Sequence, residues 1–190
     1  MRLWIHKKWL IGGIAFLLVW MLPLLAFCQK ASIQDVNVKG KNGVWTVSFD
    51  IENCFTEKME EAIQSGIQTT FTFYVHLFQK RSWWRDRKVA SQEIHHTVQY
   101  HPIQKVYEVT FEEKDSSLVA SSLEEAKRLM SKVVELEIRP NSPLKSGIPI
   151  YFRIKAALDP VRLPLHLEYL FFFVSLWDFK TDWHIERLPP

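Results

Sequence analysis

The residues whose types and spacing could do chemistry fall into three groups. The first is the run Gln79 to Lys88, which contains Trp83, Trp84, Arg85, Asp86 and Arg87 and carries five cations against one acid. It is too polar for a core and too aromatic for an ordinary linker. Indole and guanidinium side by side suit headgroups, glycans or an extended peptide, so this run is the candidate binding surface. The bland alternative is that one Trp tucks under a hairpin and that Arg85 and Asp86 pair in its turn. The second group is His76, His95, His96 and His101. On a strand, residues 95 and 96 point to opposite faces, so at most one of them joins any site, and no carboxylate or cysteine sits at ligand spacing. No metal and no cofactor is expected. The third is Cys54, at a strand-to-helix junction where a small buried hydrophobe is ordinary and no base is evident. Phosphate-cradling glycine loops, serine elbows and paired acidic motifs are absent from the sequence, so the expectation is a protein that is not an enzyme.

The elements that must position these groups are short and alternating. Ile67 to Phe78 has period two, with Phe71, Phe73, Val75 and Leu77 on one face, and reads as a central strand ending in the Trp83 tip. Before it, Ile33, Val36 and Val38 give a weak strand. Lys39 to Gly43 is a hairpin turn whose glycines supply positive φ, and Val44 to Glu52 puts Trp45, Val47, Phe49 and Ile51 on one side. Thr56 caps a helix with Glu57, Glu60 and Glu61 near its start, Met59, Ala62 and Ile63 inside, and Gly66 after it. Beyond the tip, Val89 to Tyr100 returns antiparallel, His101 to Gln104 turns, and Val106 to Phe111 forms a further strand. Ser122 to Glu125 is a capping box, with Leu123, Ala126, Met130 and Val133 along one helical face. Val134 to Arg139 and Ile148 to Leu158 close the strand series. The expected fold is α+β and mainly β: an antiparallel sandwich with two short helices, preceded by an N-terminal transmembrane or signal helix.

The chain has 190 residues, 47% of them hydrophobic, enough for one domain with a real core plus an appendage. A net charge of +3 with alternating signs makes no field that would imply nucleic acid. Arg2, His6, Lys7 and Lys8 precede an apolar run from Trp9 to Phe27. Cationic before apolar is the export orientation, and the run's length approaches the roughly 20 residues of a span. Residues 1–30 are therefore read as a retained anchor first and a cleaved signal second, and residues 31–190 as an exported domain. Leu25-Ala26-Phe27-Cys28 resembles a lipoprotein box with a bulky Phe27 where a small residue is wanted, which makes Cys28 a weak lipidation candidate. After Leu163-Pro164-Leu165, the apolar stretch Tyr169 to Trp177 is too short to span a bilayer. A buried strand and a membrane-dipping edge both stay open for it, and Trp177, Phe179 and Trp183 favour a last strand.

Glu60 to Ile67, the aromatic strand after it, Trp83-Trp84-Arg85-Asp86, Tyr107-Glu108-Val109, Ser121 to Ala126, and Leu163-Pro164 with Trp177 and Trp183 resemble the uncharacterised bacterial family known as domain of unknown function 4390. The resemblance covers nearly all of the chain after the anchor, and Tyr169 to Phe173 is more apolar than that pattern. It implies an envelope protein of the bacterial inner membrane, with the C-terminal domain on the periplasmic side and no catalytic residue to carry over. It also implies an envelope protein partner such as a sensor kinase. Two functions follow as expectations: a non-catalytic binding or adaptor module for a protein partner or the membrane surface, or an envelope hydrolase or ligand carrier with a pocket in the sandwich.

Overall fold

The computed structural model describes residues 30–159 and 179–188. Anchor residues 1–29, Cys28 among them, and the tail stretch Tyr169 to Trp177 lie outside the described residues. Among the described residues no helix is long and apolar enough to cross a membrane.

Among the described residues there are nine strands, most of them marked by alternating apolar and polar side chains. These are β1 (Ser32–Lys41), β2 (Val44–Glu52), β3 (Thr69–Gln79), β4 (Arg87–His101), β5 (Val106–Phe111), β6 (Ser116–Ala120), β7 (Lys132–Ile138), β8 (Ile150–Leu158) and β9 (His184–Arg187). Two helices interrupt them, α1 (Glu57–Gln64) and α2 (Leu123–Met130). β1-β2-β7 form one sheet and β6-β5-β4-β3-β8-β9 the other, every pairing antiparallel. The inner faces meet as a sandwich. The Phe49 ring lies 5.8 Å from Phe73 and Trp45 lies 6.2 Å from Phe152, both edge to face. Phe71, Phe73, Val75 and Leu77 of β3 are wholly buried, as their spacing predicts.

Thr56 accepts a hydrogen bond from the Met59 amide at the start of α1, and Ser122 accepts one from Glu125 at the start of α2. The capping box is displaced by one residue, because the Glu125 carboxylate turns to the amide and hydroxyl of Ser121. Lys127 of α2 reaches Glu60 of α1 at 2.7 Å and ties the two helices together.

Four details depart from the sequence reading. Val133 belongs to β7, since α2 ends at Met130. A bulge sets two residues of β7 against Ser48 of β2, so Val133, Leu136 and Ile138 share the buried face while Val134 turns outward. Glu135 takes φ 55° there, and its displaced amide donates to the Ser48 hydroxyl at 2.9 Å. Gly40 sits in β1 opposite Trp45 and is absent from the positive-φ positions, which fall on Asn42 and Gly43. Its service is room: a Cβ at Gly40 would stand 2.6 Å from the Trp45 ring. Finally, β6 is an edge strand that the pattern missed, because Ser116 to Val119 are all exposed and alternation carries no signal without a buried face.

Candidate functional site

The β3–β4 connection, Lys80 to Asp86, is the tip that the Trp83 cluster builds. Trp83 is 96% exposed and Trp84 79%, so neither indole tucks beneath the hairpin. The Arg85–Asp86 pairing considered from sequence does not form either. Asp86 accepts from the Arg81 amide at 3.0 Å and from the Tyr151 hydroxyl of β8 at 2.7 Å. The Tyr151 bond first, then the Arg81 amide, holds the Asp86 carboxyl below its ordinary range. Burial, followed by that same bond to Asp86, pushes the Tyr151 hydroxyl up to about 12. The tip's one acid is thus a committed carboxylate that braces the turn.

A second brace lies under the hairpin. Gln79 is buried; its amide nitrogen donates to the Lys145 carbonyl at 2.9 Å, and its carbonyl oxygen accepts from Arg87 at 3.0 Å and from the Lys145 amide at 3.3 Å. Arg87 also donates to the Pro143 carbonyl at 2.9 Å, and the Lys80 amide to the Pro149 carbonyl at 2.9 Å. These bonds fasten the hairpin to the loop before β8 and leave a groove of about 530 Å³ between them. Lys80, Arg81, Trp83, Arg87, Lys145 and Pro149 are among its lining residues. An adjoining groove of about 400 Å³ runs past Lys80 and Pro149 to Tyr151, Arg153 and Arg187.

The histidines disperse. His96 points inward and is wholly buried, with Nδ1 3.2 Å from the Met130 carbonyl and Nε2 3.1 Å from Glu113. His95 points to the outer face, where Nδ1 lies 2.9 Å from the Thr72 hydroxyl. Asp159 and Glu112 stand 3.8 Å and 3.7 Å from its ring nitrogens, so the fold does bring carboxylates to it from distant sequence. Thr72 is buried and hydrogen-bonded to Asp159. Burial closes this hydroxyl to a substrate, and its bond to Asp159 braces the end of β8. His76 stands beside Trp183 at 5.1 Å, and burial, then Lys88 and Arg153, lower its pKa. His101 pairs with Glu108 at 3.1 Å. Among the described residues no group of three or more His, Cys, Asp or Glu could hold a metal. Cys54 is buried and free, and burial pushes its thiol up to about 12, far from a nucleophile's range.

The model of the family described as domain of unknown function DUF4390 matches residues 28–186. The chain belongs to that family. No curated protein and no solved structure matches it. In this DUF4390 chain the tip and the start of the domain lie at opposite ends of the sandwich. The tip adjoins Ile150, which pairs with Gln79. Lys30 bonds Asp182 at 2.7 Å, and neighbouring Thr181 hydrogen-bonds Ala156. Ile150 and Ala156 are six residues apart on β8, about 20 Å at a strand's rise. Asp159 and Phe179, where the described chain breaks, are at the Lys30 end too: the Asp159 amide donates to the Thr70 carbonyl, and the Phe179 ring is 4.8 Å from Phe71.

Proposed function

We propose that this DUF4390 chain is a non-catalytic binding module of the bacterial envelope. Residues 9–27 anchor it in the inner membrane, and its β-sandwich on the periplasmic side engages a protein partner through the Lys80–Lys88 tip. The observation that carries this reading is the pair of exposed indoles on a braced, cationic turn. Monomeric domains seldom hold two adjacent Trp in water without a use for them. The far-end position of the tip supports a protein partner over the chain's own membrane surface, because an anchor that enters near Lys30 directs the tip away from the bilayer. The hydrolase or carrier alternative needs a pocket between the sheets, and that space is filled by Phe49, Phe73, Trp45 and Phe152.

Two experiments test the proposal. A photoreactive residue at position 84 should give a discrete protein adduct in living cells that the same residue at exposed Lys58 of α1 does not give. Equal labelling from both positions, or none from either, removes the support. For orientation, a phosphatase fused after Pro190 should be active and a cytoplasmic reporter silent. The reverse pattern would place the domain in the cytoplasm and end the periplasmic reading.

A further inference from the structure

We infer that the partner recognised by this tip is acidic: an extended, carboxylate-bearing protein segment lies in the groove between the β3–β4 hairpin and the loop before β8, with Trp83 and Trp84 covering its apolar positions. The inference rests on the adaptor reading above and gives it a chemistry. Lys80, Arg81, Arg87 and Lys145 line the groove, and no Asp or Glu does. None of these four, nor Arg85 or Lys88, forms an ion pair among the described residues. Four cations elsewhere on the domain do form such pairs: Lys30 with Asp182, Lys127 with Glu60 and Glu124, Lys132 with Asp50, and Arg139 with Glu137. Asp86, the one acid of the tip, has its carboxylate consumed by the Arg81 amide and Tyr151. A concave site lined by one sign of charge attracts the other sign and sets the orientation of what enters.

The groove is also built before any partner arrives. Gln79 and Arg87 bond across it to Lys145 and Pro143, so its walls need little ordering on binding. Anionic headgroups share the charge but not the place, since the groove is about 20 Å along the sheet from the Lys30 end. Beside it the indoles offer rigid apolar area at small cost in side-chain entropy, as the apolar positions of a bound peptide require.

The test uses the full chain in nanodiscs of zwitterionic lipid. Its probes are a fluorescent ten-residue peptide of Glu with two Phe, the same peptide with Gln for Glu, and phosphatidylglycerol vesicles. The Glu peptide should bind, weaken about tenfold or more in the Lys80→Glu, Lys145→Glu double variant, and weaken again as salt rises from about 50 to 500 mM. Both side chains are exposed, so the variant should fold, and Arg81→Glu provides an independent replacement. Equal binding of the Glu and Gln peptides, binding of neither, or preference for the vesicles over the Glu peptide would each overturn the inference. The adaptor reading is separable: an adduct from position 84 that persists unchanged in the double variant keeps the partner and rejects its acidity.

Discussion

Replacing Phe73 with alanine should destabilise the domain by about 3–5 kcal/mol, the range for deleting a fully buried phenyl ring. Phe73 is 0% exposed and stands in the middle of the central strand, paired with Ile94 of β4 and Ala156 of β8. Its ring touches both halves of the core, 5.8 Å from Phe49 on the facing sheet and 4.7 Å from His96 on its own. β-sheet backbone on both sides cannot collapse into the space, so the cavity term adds to the lost burial. Denaturant unfolding of the full chain in detergent, followed by near-ultraviolet circular dichroism, measures it. A loss below about 0.5 kcal/mol, a surface value, would mean that β3 buries its other face.

The second large effect is expected at Glu113. Its side chain is 5% exposed, with Oε1 3.1 Å from His96 Nε2 and Oε2 without a hydrogen-bond partner among the described residues. Burial raises the pKa of this carboxyl, but the hydrogen bond and charge of His96 outweigh it, and the net direction is down. Both His96 nitrogens lie within hydrogen-bond distance of oxygens, Nδ1 of the Met130 carbonyl and Nε2 of the Glu113 carboxylate. Replacing His96 with Phe keeps an aromatic ring but removes both nitrogens and strands the carboxylate, and about 3 kcal/mol or more should be lost. The double variant His96→Phe, Glu113→Leu should recover most of that loss. Equal losses in the single and double variants would show that the pair is not coupled.

The pH dependence has a definite sign. A carboxyl with a lowered folded pKa binds fewer protons folded than unfolded. Its contribution is therefore complete above the ordinary carboxylate range and disappears as pH falls through the lowered value. Acid titration of stability should show this loss, and Glu113→Gln should flatten that limb.

Much of the fold was legible because its signals are local. The alternation in Val44 to Glu52 gave β2 to the residue, and Phe71 to Leu77 marked the buried face of β3. Asn42-Gly43 takes the positive φ angles that a tight hairpin demands, and Thr56 and Ser122 cap their helices. Backbone sterics, side-chain period and capping depend on neighbours within a few residues, so sequence order alone carries them. The candidate tip was legible in the same way, as a dense run of indole and cation.

What that run faces was decided by tertiary structure. Tyr151 claims Asp86 only because β8 pairs with β3, and Lys145 walls the groove only because Gln79 fastens its loop there. The same cause brings Asp159 and Glu112 to His95 and sends His96 to Glu113. The bulge at Glu135 swapped the exposed face of β7, and the edge strand β6 had no buried face to announce it. Register and sheet order are set by which apolar faces can close on each other at once, a property of the whole chain that no local window contains. By itself the sequence determined the strands with a buried face, the caps and the chemistry of the tip. Sheet order decided that Tyr151 claims the tip's acid and that the tip lies at the far end of β8 from Lys30.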